Sequence, residues 1–169
     1  MSKERNGVEN ERMKAIFDMI RDTGGKALPE DLITAGRIAQ KDISDKIGKR
    51  SEKRFTQFVE SFEFVSSIRN SNPLDDVYCG IDKWITFTSD QKLPELPVQI
   101  KSSPNAVQFY KYGDPKNGKA PDTAFTKLQG LQIVVCCGDM VTKNQLWHEL
   151  NREIKRIKSI LESEDKSSK

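Results

Sequence analysis

The segments GIDKWITF (residues 80–87) and LPVQIKSS (residues 96–103) decide the fold class of this chain. Both are short apolar runs, and the residues between them favour a turn, which is typical of neighbouring β-strands. Side chains at i and i+2 of a strand point to the same face, so we expect Gln99 and Lys101 to project together. If the two strands pair, Asp82 lies beside them.

The remaining pattern predicts a mixed α/β domain with a central sheet. A proline- and glycine-rich stretch at 104–121 is expected to be a long irregular loop, and 71–80 a connecting loop. The predicted elements are helices near 13–22, 37–47, 51–61, 120–130 and 140–161, and strands near 62–69, 80–88, 98–103 and 131–138. We expect three regions, which are an N-terminal helical extension (1–49), an α/β core (50–161) and a disordered tail (162–169).

The composition excludes several classes of protein. The chain has 169 residues, a net charge of +3, three cysteines and one histidine. This excludes a disulfide framework and a zinc-ligand pattern. The N-terminus lacks the apolar core of a signal peptide, and no apolar run approaches the roughly 20 residues that span a membrane. We therefore expect a soluble, cytoplasmic protein with reduced thiols.

The residue types at the two strands point to phosphodiester chemistry. A metal-binding carboxylate at Asp82, an oxygen ligand at Gln99 and an amine at Lys101 are the minimum set for cutting a phosphodiester with a divalent cation. Mg²⁺ prefers oxygen ligands, and a lysine ammonium stabilises negative charge that develops near a bound water. The alternative is a strand with an exposed polar face, in which the Gln-x-Lys spacing arises by chance.

The order of elements, with Asp82 and Gln99-Ile100-Lys101 on consecutive strands, resembles the PD-(D/E)xK nuclease superfamily over about residues 50–160. The resemblance implies a restriction-endonuclease-like central mixed sheet flanked by helices. It also implies a Mg²⁺-dependent endonuclease acting on DNA rather than RNA, with Mn²⁺ as a substitute cation. Residues 50–161 would then be the nuclease-like core.

The resemblance also assigns roles to residues. Asp82 would be the metal-ligating aspartate, Lys101 would orient or activate the attacking water, and the Ile100 carbonyl would be a third protein ligand. Gln99 stands where the family usually has Glu or Asp, and would give its amide oxygen to the metal. A neutral ligand weakens metal affinity. A nuclease-fold module that binds DNA with little or no cutting is therefore the alternative function.

The helix before the first strand supplies a further candidate, Glu52. At about 100° per residue it lies beside the buried stripe of Phe55, Val59 and Phe62, whereas Glu60 falls nearly opposite. A residue flanking that stripe reaches the sheet edge where Asp82 is expected. The alternative for Glu52 is a first-turn glutamate that stabilises the helix N-terminus.

Residues 40–48 resemble the first helix and turn of a helix-turn-helix, which gives a third possible function. The next helix would then contact DNA through basic side chains. The same side chains would contact phosphates in a nuclease, or would only form a solvated helix face. The basic side chains are Lys49, Arg50, Lys53 and Arg54.

Other polar residues near the strands have two interpretations each. The hydroxyls of Ser102 and Ser103 would hold a phosphate or simply end the third strand. Asp75 and Asp76 would either add an outer-sphere metal contact or, as we expect, only form a solvated turn after Pro73. The closing helix carries an apolar face that packs either on the core or on a second copy in a homodimer.

Overall fold

The structure is a computed structural model that describes the backbone of residues 3–167 and the side chains of residues 9–163. Within this range the helices are α1 (Lys3–Asp22), α2 (Pro29–Val59), α3 (Pro73–Cys79), α4 (Pro104–Tyr112), α5 (Thr123–Lys127) and α6 (Lys143–Ser167). The strands are β1 (Val65–Asn70), β2 (Lys83–Phe87), β3 (Leu96–Lys101) and β4 (Ile133–Cys136). The predicted α/β class with a four-stranded mixed sheet is confirmed.

The chain divides into two compact units, Met1–Lys49 and Arg50–Lys169. The first unit consists of α1 and the first part of α2. These helices approach closely at Gly36, where an added Cβ would lie 3.3 Å from the Ile16 side chain. A small residue at this position therefore lets the two helices pack.

Helix α2 is continuous where two helices and a turn were predicted. Gly48 lies inside α2 and does not adopt a positive φ. A glycine ends a helix when it takes the left-handed conformation, and otherwise only weakens the helix by about 1 kcal/mol. Ser51 is accordingly a buried helix-interior residue, not an N-cap. Without a turn at Gly48, the helix-turn-helix interpretation is wrong.

The sheet has the strand order β1-β2-β3-β4. The first two pairings are antiparallel, and β3 pairs in parallel with β4. The connection from β3 to β4 runs through α4 and α5, as a parallel pairing requires a crossover. Strand β3 therefore lies inside the sheet, between β2, which begins directly after Asp82, and β4.

Each face of the sheet has its own apolar cluster. The larger cluster includes residues of the second half of α2, of β3 and of α6, among them Phe55, Val98, Ile100 and Leu150. The smaller cluster joins α4 and α5 to β4 through Val107, Tyr110, Ala124, Val134 and Cys136. Helices therefore flank the sheet, and the face toward α4 is opposite the one on which Val98 and Ile100 are buried.

Two predicted loops contain helices. The helix α3 replaces the loop predicted at 71–80. Its N-cap residue Asn72 accepts a hydrogen bond from the Asp75 amide through its side chain, and its C-cap residue Gly80 is left-handed. The helix α4 replaces the first part of the irregular loop predicted after β3, and its N-cap residue Ser103 accepts a hydrogen bond from the Ala106 amide. Each helix has proline in its first turn, a position that proline favours, although a proline-rich sequence suggests a loop.

The terminal segments also differ from expectation. Helix α6 continues to Ser167, beyond residue 161, where the sequence predicts the helix to end and a disordered tail to begin. Ser168 and Lys169 lie outside the described residues. Within the described part of the chain, none of the helices combines the length and apolar character needed to cross a bilayer.

We expect the substitution Gly48→Ala to stabilise the protein by about 0.5–1 kcal/mol, because alanine favours the helical backbone. An added Cβ at Gly48 meets no atom within 4 Å. Chemical denaturation followed by circular dichroism measures the change. Gly118→Ala is the matched control: its Cβ also meets nothing, but its φ of +65° should make the variant less stable. A destabilised Gly48→Ala variant would contradict the continuous helix.

Candidate active site

Two adjacent strands bring the predicted side chains together. Asp82 directly precedes β2, and its backbone N–H donates to the Val98 carbonyl of β3 at 2.8 Å. Val98 and Ile100 are buried in the larger apolar cluster. The alternation of β3 therefore directs Gln99 and Lys101 to the opposite face, as the spacing predicts.

The Asp82 carboxylate is bonded to β3 through one oxygen. Its Oδ2 accepts a hydrogen bond from Gln99 Nε2 at 2.6 Å and another from the Ile100 backbone N–H at 2.5 Å. These two donors fix the orientation of the carboxylate at the end of the strand pair. Asp82 and Gln99 are therefore in direct contact, through the amide nitrogen and not through the oxygen that was expected to bind a metal.

The environment raises the pKa of Asp82 to about 7. The main cause is burial, which disfavours the charged form, and the carboxylates of Glu52 and Asp76 raise the pKa further. The hydrogen bond from Ile100 and the positive charge of Lys101 act in the opposite direction. Burial dominates, so Asp82 titrates near neutral pH.

Glu52 therefore reaches Asp82 electrostatically, as the geometry of its helix predicts. It lies half-buried in α2, beside the fully buried Phe55. Asp76 also acts on Asp82, although the sequence favours a solvated turn over a metal contact for it. The expected solvated turn is the helix α3, and this helix brings the Asp76 charge close enough to act on Asp82.

Gln99 presents its amide nitrogen to Asp82, and its oxygen therefore faces away. A Cβ added at Gly80 would lie 2.9 Å from Gln99 Oε1 and 2.8 Å from the Tyr110 hydroxyl oxygen. Gly80 also has a φ of +55° at the C-terminus of α3. Both the backbone conformation and the space beside Gln99 thus require glycine at position 80.

Lys101 lies over an aromatic ring. Its Nζ is 4.3 Å from the centroid of the Tyr110 ring, a cation–π geometry. Burial lowers the pKa of Lys101, while Asp82 and Asp122 oppose this shift. Among the described residues no carboxylate lies within ion-pair distance of its amine. The amine is thus held by Tyr110 without being neutralised by a direct ion pair.

A buried glutamine connects Tyr110 to the turn before Asp82. The Tyr110 hydroxyl donates to Gln132 Oε1 at 3.0 Å, and Gln132 Nε2 donates to the Gly80 carbonyl at 2.8 Å. Gln132 is 0% exposed and immediately precedes β4. Sequence reasoning did not identify it, although a glutamine at the start of an apolar run was the available signal.

Two of the basic side chains predicted to contact nucleic acid, Arg50 and Arg54, already bind other groups of the protein. Arg54 donates to the Asp139 and Val141 carbonyls at 2.7 and 2.6 Å, so its guanidinium holds the loop before α6. Arg50 forms an exposed ion pair with Asp139 at 3.6 Å, whereas Lys53 is exposed. The expectation that Arg54 faces DNA therefore has no support in its contacts.

The serines after β3 and the remaining lysine of the basic cluster differ in their surroundings. Ser103 caps α4 through its hydroxyl oxygen, which accounts for its position without a phosphate. Ser102 is half-buried, and Lys49 is exposed. Ser103 therefore has a structural role, whereas the phosphate contacts of Ser102 and Lys49 stay a prediction.

The candidate ligands are oxygen atoms, the type that Mg²⁺ prefers, but together they carry little negative charge. Asp82, Gln99 and the Ile100 carbonyl are oxygen donors, which Mg²⁺ prefers. Among residues 9–163, no group of three or more His, Cys, Asp or Glu side chains is placed to hold a metal ion. A cation would also require Gln99 to turn its amide, because its nitrogen now faces Asp82.

Comparison of the chain with protein-family models, with curated proteins and with solved structures gave no match. The functional assignment therefore depends on the geometry and chemistry of the site.

The raised pKa of Asp82 predicts a pH-dependent stability. Between its ordinary value of 3.8 and about 7, the unfolded chain releases a proton that the folded protein retains. The stabilisation is therefore complete below about pH 4 and is lost as the pH rises through 7. We expect the unfolding free energy of the wild type, relative to Asp82→Asn, to fall by ~2 kcal/mol across this range, reduced from the full shift by partial solvation.

Denaturant titrations at several pH values measure this difference. Asp90→Asn is the matched control, since Asp90 is exposed and hydrogen bonding, chiefly with Thr88, lowers its pKa. Its difference from wild type should stay constant between about pH 5 and 7. If the difference in unfolding free energy between wild type and Asp82→Asn did not change with pH, the pKa of Asp82 would not be raised in the folded protein.

Proposed function

We propose that this chain is a metal-dependent, endonuclease-like protein that hydrolyses DNA phosphodiester bonds with Mg²⁺. The observation that carries this proposal is the contact of the Asp82 carboxylate with the Gln99 amide at 2.6 Å, with the Lys101 amine on the same strand face. A carboxylate, an amide and an amine at the ends of two adjacent strands supply the ligands and the positive charge that the reaction needs.

The topology supports a restriction-endonuclease-like core. A helix precedes three antiparallel strands, and a helical crossover leads to a fourth strand parallel to the third. The proposed site lies where β2 begins and β3 ends. Glu52 adds a carboxylate from the preceding helix through its electrostatic coupling to Asp82.

The residues of this chain would act on the substrate in distinct ways. Asp82 and the Ile100 carbonyl would hold the cation, together with Gln99 after its amide turns. When bound, Mg²⁺ would polarise the phosphate and lower the pKa of a coordinated water. Lys101, held over the Tyr110 ring, would stabilise negative charge at the phosphate.

A second candidate is a nuclease-fold module that binds DNA without cutting it. The observation that favours it is the amide of Gln99, which donates to the oxygen that a cation would need. Asp82 also titrates near pH 7, so protons compete with a cation at neutral pH. The two candidates differ in whether the Asp82 carboxylate takes part in a metal-dependent reaction.

Cleavage of labelled DNA in Mg²⁺, Mn²⁺ or EDTA separates these candidates. For a nuclease, we expect Asp82→Asn and Lys101→Met each to reduce the metal-dependent rate by about 100-fold or more, because each removes charge stabilisation from the transition state. Lys127→Met, at an exposed lysine at the end of α5, is the matched control and should cleave normally.

Unchanged cleavage by Asp82→Asn and Lys101→Met would reject the proposed site. If the wild type does not cleave but binds DNA equally in EDTA and Mg²⁺, and Asp82→Asn binds as well, the second candidate is supported. Single-stranded, duplex and RNA substrates in the same assay identify the preferred nucleic acid.

The substitution Gln99→Glu tests the role of the neutral ligand. A second carboxylate beside Asp82 should tighten Mg²⁺ binding by about tenfold or more, since affinity rises with ligand charge. Calorimetry above about pH 8, where both carboxylates are ionised, measures the change. Gln108→Glu, at an exposed position of α4, is the control. Equal metal affinity in Gln99→Glu and wild type would place the cation away from Gln99.

A further inference from the structure

A cleft opens between Lys101 and the helix α4, and we call it the α4 cleft. Its volume is about 400 Å³, which is within the range of small-ligand sites. Its walls come from the end of β3, from α4 and from the segment that leads to α5. Its lining includes Lys101, Phe109, Tyr110, Asp114, Lys119 and Asp122.

The walls of the α4 cleft are tied together by backbone hydrogen bonds. Asp114 and Lys119 exchange two such bonds, at 2.8 and 2.9 Å, and the Asp122 N–H donates to the Tyr110 carbonyl at 3.0 Å. Gly113 has a φ of +73°, and a Cβ there would overlap the Lys119 carbonyl. The cleft is therefore built into the fold rather than left by a loose loop.

One side of the cleft offers an unused aromatic face. Phe109 is 52% exposed although it lies on an amphipathic helix beside the buried Tyr110. Tyr110 is already covered by Lys101. An exposed phenyl ring at a concave site gives a flat ligand a stacking surface.

The charges of the cleft are mixed. Lys101 and Lys119 are cationic, and Asp114 and Asp122 are anionic. One oxygen of Asp114 accepts from Asn117, and one oxygen of Asp122 accepts from the Ala124 amide, so each carboxylate retains accepting capacity. A ligand that carries only negative charge would be repelled by the two carboxylates. A ligand with a phosphate, an aromatic ring and an amino group suits all three features.

We propose that the α4 cleft binds one unpaired nucleotide of the substrate strand, next to the phosphate at Lys101. The base stacks on Phe109, its exocyclic amine donates to Asp114 or Asp122, and its phosphate contacts Lys119. This inference rests on the proposed function for the identity of the strand. The inference adds that the bound nucleic acid is single-stranded or locally unpaired at the site.

The requirement for an unpaired base follows from the geometry of a duplex. In a duplex, neighbouring bases cover both faces of a base, and pairing occupies its amino edge. Only an unpaired nucleotide can present a free face to Phe109 and a free amine to the carboxylates. Cytosine, adenine and guanine carry that amine, whereas thymine does not.

Fluorescence anisotropy with the full chain and short labelled strands in EDTA tests the proposal without cleavage. We expect oligo-dC to bind more tightly than oligo-dT, and both to bind more tightly than duplex. Phe109→Ala should weaken single-strand binding by about tenfold, the effect of losing one stacked base. Tyr112→Ala is the matched control, since Tyr112 is 57% exposed on the same helix but does not line the cleft.

Two lysines of the same loop provide a second matched pair. Lys119→Ala should weaken binding and reduce its salt dependence, because it removes one phosphate contact. Lys116→Ala, at an exposed lysine outside the cleft, should bind as the wild type does.

Equal binding by Phe109→Ala and wild type, or duplex binding as tight as single-strand binding, would overturn the proposal. The proposed function is tested separately by metal-dependent cleavage. Absence of cleavage with an intact Phe109 effect on binding would reject the nuclease and retain the nucleotide site. Cleavage that depends on Asp82 but not on Phe109 would retain the nuclease and reject the nucleotide site.

Discussion

The Asp82 carboxylate links the start of β2 to β3, and the geometry of the candidate site depends on this link. The register of β2 against β3 begins at Lys83, and the Asp82 side chain extends the contact by accepting the Ile100 N–H at 2.5 Å. The same oxygen accepts from Gln99, so one atom orients both the carboxylate and the amide. This contact requires a carboxyl group in a partly buried position. The raised pKa of Asp82 follows from that burial, because the surrounding protein disfavours its charged form.

A second group of buried polar side chains holds the other wall of the site. Glu153 of α6 is 3% exposed and forms ion pairs with Lys111 of α4 at 2.6 Å and with Arg156 at 3.0 Å. Arg156 also donates to the Gln132 carbonyl at 2.8 Å. Removing Glu153 would leave the buried ammonium of Lys111 without its ion-pair partner, which is strongly unfavourable. The ion pairs therefore constrain α4 and the start of β4, and hence the position of Tyr110 under the Lys101 amine.

The sequence predicts what depends on local periodicity. The strand alternation places Gln99 and Lys101 on one face, and the helical angle places Glu52 near Asp82. The sequence does not reveal Gln132 and favours a solvated turn for Asp76, because the roles of both residues arise from contacts between segments that are distant along the chain. Other errors were local. Helices that begin with proline resemble loops in sequence. Gly48 resembles a helix end, because the φ that distinguishes an interior glycine from a terminal one depends on the fold.

The neutral side chain at position 99 has a physical reason in this site. Burial and the charges of Glu52 and Asp76 already raise the pKa of Asp82. A further carboxylate in the nearly buried position of Gln99 would add repulsion that no direct ion pair from Lys101 offsets. Glutamine instead donates a hydrogen bond to Asp82 and stabilises the ionised carboxyl. In the proposed metal site a cation would have to replace that bond, so Gln99 would set how readily the site accepts a metal.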